Sequence, residues 1–146
     1  MSSAELYEAF KTKMQKIADV KYASAVLQWD QETYLPPKGN DFRGRQLATL
    51  SEMAHELFTT EAMGAMLQEL NSREDLSFHE KRNVQLSLDD YTRSVKLSSD
   101  FVRKMSEAVN ASYHAWVKAR SDNSFATFQQ PLHSLIELKK QEADLL

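Results

Sequence analysis

The chain has 146 residues, a net charge of −3, and a composition that is 42% hydrophobic and 27% charged. These values are typical of one soluble globular domain, which at this length buries about 70% of the surface that its unfolded chain exposes. The absence of cysteine excludes disulfides, thiolate metal sites, iron–sulfur clusters and a cysteine nucleophile. The charge excludes a basic surface for nucleic acid, and we expect neither a signal peptide nor a membrane span because no long apolar run occurs.

Glycine and proline, which interrupt helices, are scarce and clustered. Three of each occur, and five of these six residues lie between positions 36 and 64. Alternating runs rich in valine, isoleucine and threonine are absent. We therefore predict an all-α fold, an antiparallel bundle of five to six amphipathic helices that forms a single domain over residues 1–146.

The first predicted helix covers about residues 3–34. Ser2 and Glu5 have the spacing of a capping box, in which each side chain satisfies a free backbone amide of the first turn. An apolar stripe follows at helical spacing, formed by Leu6, Phe10, Met14 and Ile17, and continued by Val26 and Trp29. The helix must end at Pro36 and Pro37 because proline disfavours helix in the residue before it and lacks an amide hydrogen.

Further helices are predicted from caps and apolar stripes at about 40–58, 60–70, 78–97 and 99–121, with a last one after residue 124. Thr59 or Thr60, the Ser77 and Glu80 capping box, and Ser98 or Ser99 mark three of the starts. On the helix over 99–121 we expect five residues to face the core, namely Val102, Met105, Val109, Tyr113 and Trp116.

The last helix reaches Leu145 and Leu146 without a capping glycine or asparagine. We expect the chain to stop within an element and to be the amino-terminal fragment of a longer protein.

Metal-binding and catalytic motifs are absent from the chain. No two of the four histidines are three to five residues apart. His55 and His79 are each followed by glutamate, as in His-Glu-x-x-His, but Thr59 and Asn83 stand where the second histidine is needed. Glycine-rich phosphate loops and a Gly-x-Ser-x-Gly elbow are also missing. We predict no catalytic residue and no metal ligand within these residues.

The densest unusual segment is 29–37, which reads Trp-Asp-Gln-Glu-Thr-Tyr-Leu-Pro-Pro. Asp30 and Glu32 are two positions apart, so on a helix they diverge by about 200° and do not form an acid and base pair. Two interpretations remain open. Either the two aromatic residues anchor the core while the acids pair with a nearby arginine such as Arg43, or the segment contributes to a ligand groove.

Together with Arg43–Leu57, the segment resembles the start of the thermostable, Taq-type metallocarboxypeptidases. Later blocks are similar in the same order, namely Asp90–Leu97, Ala115–Arg120 and Phe125–Leu132. Leu35 stands where the family usually has methionine, which conserves volume. The resemblance covers nearly the whole chain.

The resemblance implies an almost entirely helical, cytosolic peptidase with a much longer chain, usually a homodimer. Such an enzyme removes carboxy-terminal amino acids from peptides with one divalent metal, zinc or cobalt, held by His-Glu-x-x-His and a later glutamate. Those residues would lie beyond position 146. This chain would then form a lid-like helical layer over the active-site groove and be inactive and metal-free on its own.

Five residues are the candidates for groove-side positions, namely Trp29, Asp30, Glu32, Tyr34 and Arg43. The expected partners are a peptide substrate, the remainder of the same chain and a second copy, with neither nucleic acid nor membrane. The alternative is a stand-alone helical protein-interaction module that resembles the lid and has its own partner.

Overall fold

The computed structural model describes all residues from 1 to 146 and contains six α-helices and no strand, which confirms the all-α prediction. The helices are α1 (Ser3–Thr33), α2 (Asn40–Phe58), α3 (Glu61–Asn71), α4 (Phe78–Ser94), α5 (Ser99–Ser121) and α6 (Ala126–Leu145), and a short 3-10 turn, Pro37–Gly39, joins α1 to α2. None of them combines the length and the apolar character that crossing a membrane requires. The predicted bounds agree closely except at α4.

Helix α4 ends at Ser94, three residues before the predicted end. Lys96 and Leu97 continue the chain with backbone bonds to the third preceding carbonyl, 3.1 and 3.0 Å long. The helix therefore tightens into a 3-10-like turn before Ser98 caps α5, a frequent ending that hydrophobic spacing does not reveal.

Side-chain caps fix the starts of four helices, as predicted. Ser2 and Glu5 form a complete capping box on α1, and Ser77 and Glu80 form another on α4. Hydrogen bonds with the two serines lower the pKa of both glutamates. The side chains of Thr60 and Ser98 cap α3 and α5.

The large buried side chains form one cluster, which we call the apolar core. It joins the first half of α1 to α3 and α4 and comprises Leu6, Tyr7, Phe10, Ile17, Met63, Leu67, Leu70, Leu76 and Val84. The amide of Asn83 donates to the Tyr7 hydroxyl (3.1 Å), and the Ser3 hydroxyl donates to Asp75 (2.6 Å). These two bonds tie α1 to α4 and to the preceding loop.

The second half of the fold is built differently. Helix α2 packs between α1 and α5, and α6 packs on α5; we call α2, α5 and α6 the outer layer. Its buried residues are mostly small, including Gly44, Ala48, Ala54, Ser112 and Ala119, and α6 has no buried residue. Polar contacts cross the layer, among them an Arg103–Glu52 ion pair of 2.6 Å.

Several apolar side chains expected to face the core are instead exposed. Val26 and Trp29 on α1, and Val109 and Trp116 on α5, are about half exposed or more. The prediction that these α5 residues face inward is wrong. Spacing identified their helix faces correctly, but no element of the chain covers those faces.

The accessible surface is correspondingly large, at 9603 Å². A compact monomer of 16.8 kDa exposes about 7,700 Å². The chain thus exposes roughly 1,900 Å² more than a self-contained domain of its mass.

Candidate functional site

Arg43 joins the end of α1 to α2. Its side chain is buried, and its guanidinium donates to the backbone carbonyl of Leu27, to the amide oxygen of Gln46 (3.1 Å) and to Asp30 (2.7 Å). Two of the five candidate residues therefore form an ion pair that positions the end of α1, as the local-pairing interpretation predicted.

Trp29 and Tyr34 lie on the surface, where they are 58% and 75% exposed. Their rings meet edge to face with centroids 5.6 Å apart. The interpretation of these residues as core anchors is wrong. Trp29 also continues an exposed row on one face of α1 that includes Tyr22 and Val26, and we call these three residues the aromatic row.

Glu32 lines a cleft of about 390 Å³ between α1 and α5, with α2 as its floor. Neither Trp29, Tyr34 nor the Asp30–Arg43 pair lines this cleft. The five candidates therefore do not form one site. They form an ion pair between buried Arg43 and partly exposed Asp30, an exposed aromatic pair and one carboxylate at the cleft.

One wall of the cleft is polar and belongs to α1. It is formed by Ser24, Gln28, Gln31 and Glu32. These positions continue the face of α1 that buries Leu6, Phe10 and Ile17 in its first half, since all are related by helical spacing. The change from apolar to polar along one face is the sequence signal that could have identified this wall.

The opposite wall is apolar and belongs to α5. Phe101, Val102, Met105, Val109 and Tyr113 line it. The side-chain amide of Asn110 donates to Gln31 (2.7 Å) and joins the two walls near Glu32. Glu142 of α6 also borders the cleft and pairs with Lys139 (2.6 Å). Residues that spacing assigned to the core thus form the wall of an open cleft.

No three side chains of histidine, aspartate or glutamate come close enough together to hold a metal ion. His55 makes a hydrogen bond between its Nε2 and the carbonyl of Leu97 (2.9 Å). Nε2 of His114 is buried without a hydrogen-bond partner, and burial lowers the pKa of this histidine. The residues of this chain therefore do not fit the ligand set of a catalytic metal.

Residues 9–146 match the family model described as carboxypeptidase Taq (M32) metallopeptidase. A curated relative, thermostable carboxypeptidase 1 of Thermus thermophilus, is 24% identical over the whole of this chain. The chain spans 29% of the length of that relative.

Two solved structures are also similar. CHT is 50% identical with a TM-score of 0.72, covering 97% of this chain and 29% of its own. The M32 carboxypeptidase from Deinococcus radiodurans R1 is 32% identical with a TM-score of 0.74, covering 97% of this chain and 28% of its own. In both, a segment under a third of the longer protein shares this helical arrangement.

Proposed function

The chain belongs to the carboxypeptidase Taq (M32) metallopeptidase family, and on that premise we propose that it forms the lid or groove wall of a metallocarboxypeptidase. It corresponds to an amino-terminal part of such enzymes. The complete enzyme hydrolyses carboxy-terminal residues from peptides, and this part is inactive on its own.

Uncovered apolar surface carries the proposal. The excess of roughly 1,900 Å² counts polar and apolar surface together, and it is more than twice the roughly 800 Å² that one partner contributes to a standard interface. Its apolar part includes the aromatic row and exposed side chains outside the cleft, namely Trp116 and Val117 of α5 and Ile136 and Leu145 of α6. The partner is the remainder of the same chain.

The catalytic metal, zinc or cobalt, would be held by residues beyond position 146 and would supply the Lewis acid of hydrolysis. The residues described here form walls and exclude water. Glu32 and Tyr34 are free to contact a bound peptide, whereas Asp30 and Arg43 hold the end of α1 in place. We also propose a cytoplasmic location and a homodimer for the complete enzyme.

The test uses the chain and, separately expressed, the part of its reading frame that follows Leu146. Sedimentation of the mixture should show a complex, and only the mixture should release carboxy-terminal amino acids from peptides. Trp29→Ser in the aromatic row should weaken the complex, while Lys13→Ser on an exposed position of α1 should not. A reading frame that stops after Leu146 would favour the stand-alone interaction module, and lack of both binding and activity would refute the lid.

A further inference from the structure

The cleft between α1 and α5 has two walls of opposite chemistry, and each wall is a row with a spacing of four residues. The polar row is Ser24, Gln28 and Glu32, and the apolar row is Phe101, Met105, Val109 and Tyr113. Both helices pack on α2, so the rows face the same open space above its floor.

The spacing of both rows matches an extended peptide. Four residues of an α-helix rise about 6 Å. Alternate residues of an extended chain, whose side chains point the same way, are about 6.7 Å apart. A strand lying along the cleft therefore stays in step with both rows over four to five residues, with alternate side chains directed at α5 and the others at α1.

The polar row has free hydrogen-bonding capacity. The side chains of Ser24, Gln28 and Glu32 make no hydrogen bond within the chain, unlike Gln31, which is bonded to Asn110. A face intended for permanent packing resembles the apolar core, in which large apolar side chains meet from both sides. One polar wall with unused donors and acceptors fits an exchangeable ligand that brings polar groups of its own.

The charges of the cleft indicate which polar groups the ligand carries. Glu32 and Glu142 are the charged residues that line it, and no lysine, arginine or histidine does. Glu142 is paired with Lys139, whereas Glu32 has no ion-pair partner. The α1 wall therefore attracts a basic side chain and disfavours an acidic one.

We propose that this cleft binds an extended peptide segment of four to five residues in which apolar and basic residues alternate. Apolar side chains contact the α5 row, and basic or polar side chains contact the α1 row. The proposal rests on the proposed function only in that it takes the peptide to be a substrate of the complete enzyme. The segment bound here lies away from the reacting bond, because the cleft has no catalytic group.

The experiment titrates the isotope-labelled chain with two blocked peptides of identical composition, acetyl-Leu-Lys-Leu-Lys-Leu-amide and acetyl-Leu-Leu-Leu-Lys-Lys-amide, and follows backbone amide shifts by NMR. We expect shifts confined to residues of the cleft and binding of the alternating peptide about fivefold tighter, because the block sequence directs fewer leucines at α5.

Matched variants test each wall. Val109→Ser should weaken binding about fivefold, while Val117→Ser, on the same helix and 44% exposed against 47%, should leave it unchanged. Glu32→Gln should weaken binding about two- to fivefold, since exposed ion pairs contribute little. Glu56→Gln, on an exposed position of α2, is its control.

Equal binding of the two peptides, or shifts outside the cleft, would overturn the proposal. Cleft shifts that depend on protein concentration without peptide would assign the cleft to a second copy instead. Peptide binding without activity of the reconstituted enzyme would leave the cleft standing and refute the proposed function. Activity of the reconstituted enzyme without peptide binding at the cleft would support the proposed function and refute the peptide-binding role of the cleft.

Discussion

The apolar core and the outer layer show two ways of packing helices in one chain. In the core, Met63, Leu67, Leu70 and Val84 are fully buried, and α1, α3 and α4 supply most of the cluster, against which Leu57 and Phe58 of α2 also pack. In the outer layer, small residues on α2 let α5 approach closely, and larger apolar residues remain on open faces. A closed core gives a helix group its own stability, whereas an open layer depends on contacts with something else.

The largest expected difference between the two regions concerns truncation of a leucine. Leu67→Ala in the core should lower the free energy of unfolding by about 2–5 kcal/mol, because it leaves a cavity that the packed helices cannot fill. Leu145→Ala in α6, where the side chain is 45% exposed, should change it by less than about 0.5 kcal/mol. Urea unfolding of both variants provides the measurement, and similar losses would contradict the comparison.

Alanine substitutions of two glycines at helix crossings should differ in their effect on stability, but by less than the leucine truncations. A Cβ at Gly64 would lie 2.6 Å from Cζ and 2.8 Å from Cε1 of Tyr91, so the rigid ring must shift as a whole and loses the bond from its hydroxyl to the carbonyl of Thr60. Gly64→Ala should therefore destabilise by about 1–3 kcal/mol. At Gly44 the Cβ would lie 2.8 Å from Oδ1 of Asn110, whose amide donates to Gln31, so a small shift of this side chain relieves the contact at some cost to that bond. Because alanine favours helix by about 1 kcal/mol over glycine, Gly44→Ala should be close to neutral in thermal unfolding.

Helix caps give a smaller effect. Ser77→Ala removes one half of a reciprocal capping box at the start of α4 and should cost about 1 kcal/mol in urea unfolding. Ser98→Ala removes a single bond at the start of α5, so its loss should be smaller. A larger loss at Ser98 would indicate that the outer layer, rather than the core, limits the stability of the chain.

The smallest effect concerns pH and His114. Burial lowers the pKa of this histidine below its ordinary value of 6.5, so the stability that the neutral ring contributes is present above pH 6.5 and decreases as the pH falls through that value. Amide hydrogen exchange of α5 should therefore accelerate relative to α3 between pH 7 and pH 5.5, after correction for intrinsic rates. His114→Gln should remove this difference, and His79→Gln, on an exposed position of α4, should keep it.

Acid has a separate effect on the core region. The pKa values of Glu5 and Glu80 are lowered by hydrogen bonds with Ser2 and Ser77. Their contribution is complete above the ordinary value of 4.5 and is lost as the pH falls through the lowered values. We therefore expect amide hydrogen-exchange protection of α3 and α4 to decrease only at lower pH. Loss of this protection above pH 5, where both carboxylates remain ionised, would contradict the prediction.

Local signals made the helices predictable from the sequence. The capping boxes at Ser2 and Ser77 and the proline pair after Leu35 act within one turn of the residues that carry them, so each boundary could be inferred directly. The pairing of Asp30 with an arginine was also foreseen as one of two interpretations. Exposure of Trp29 and Val109 was not foreseen, because periodicity identifies a face but not the element that covers it.

The cleft was beyond the reach of sequence reasoning for a related reason. Its width depends on how closely α1 and α5 approach α2, which is a tertiary property. The unusual segment around Glu32 marks this residue as a candidate, whereas Ser24 and Gln28 give no such signal because single polar residues on a long helix are common. Only the packing of three helices places them opposite an apolar wall.

Helix α1 belongs to both regions, and this has a mechanical consequence. It contains no glycine or proline over its 31 residues, and its first half is fixed in the apolar core while its second half forms one wall of the cleft. The helix is therefore a rigid rod whose first half is anchored in the apolar core. Between Ile17 and Thr33 it is about 24 Å long, so a tilt of about 5° at the anchored half displaces the tip by roughly 2 Å. Packing on α2 and the bonds of Arg43 to Asp30 and to the carbonyl of Leu27 limit this deflection, and through it the width of the cleft.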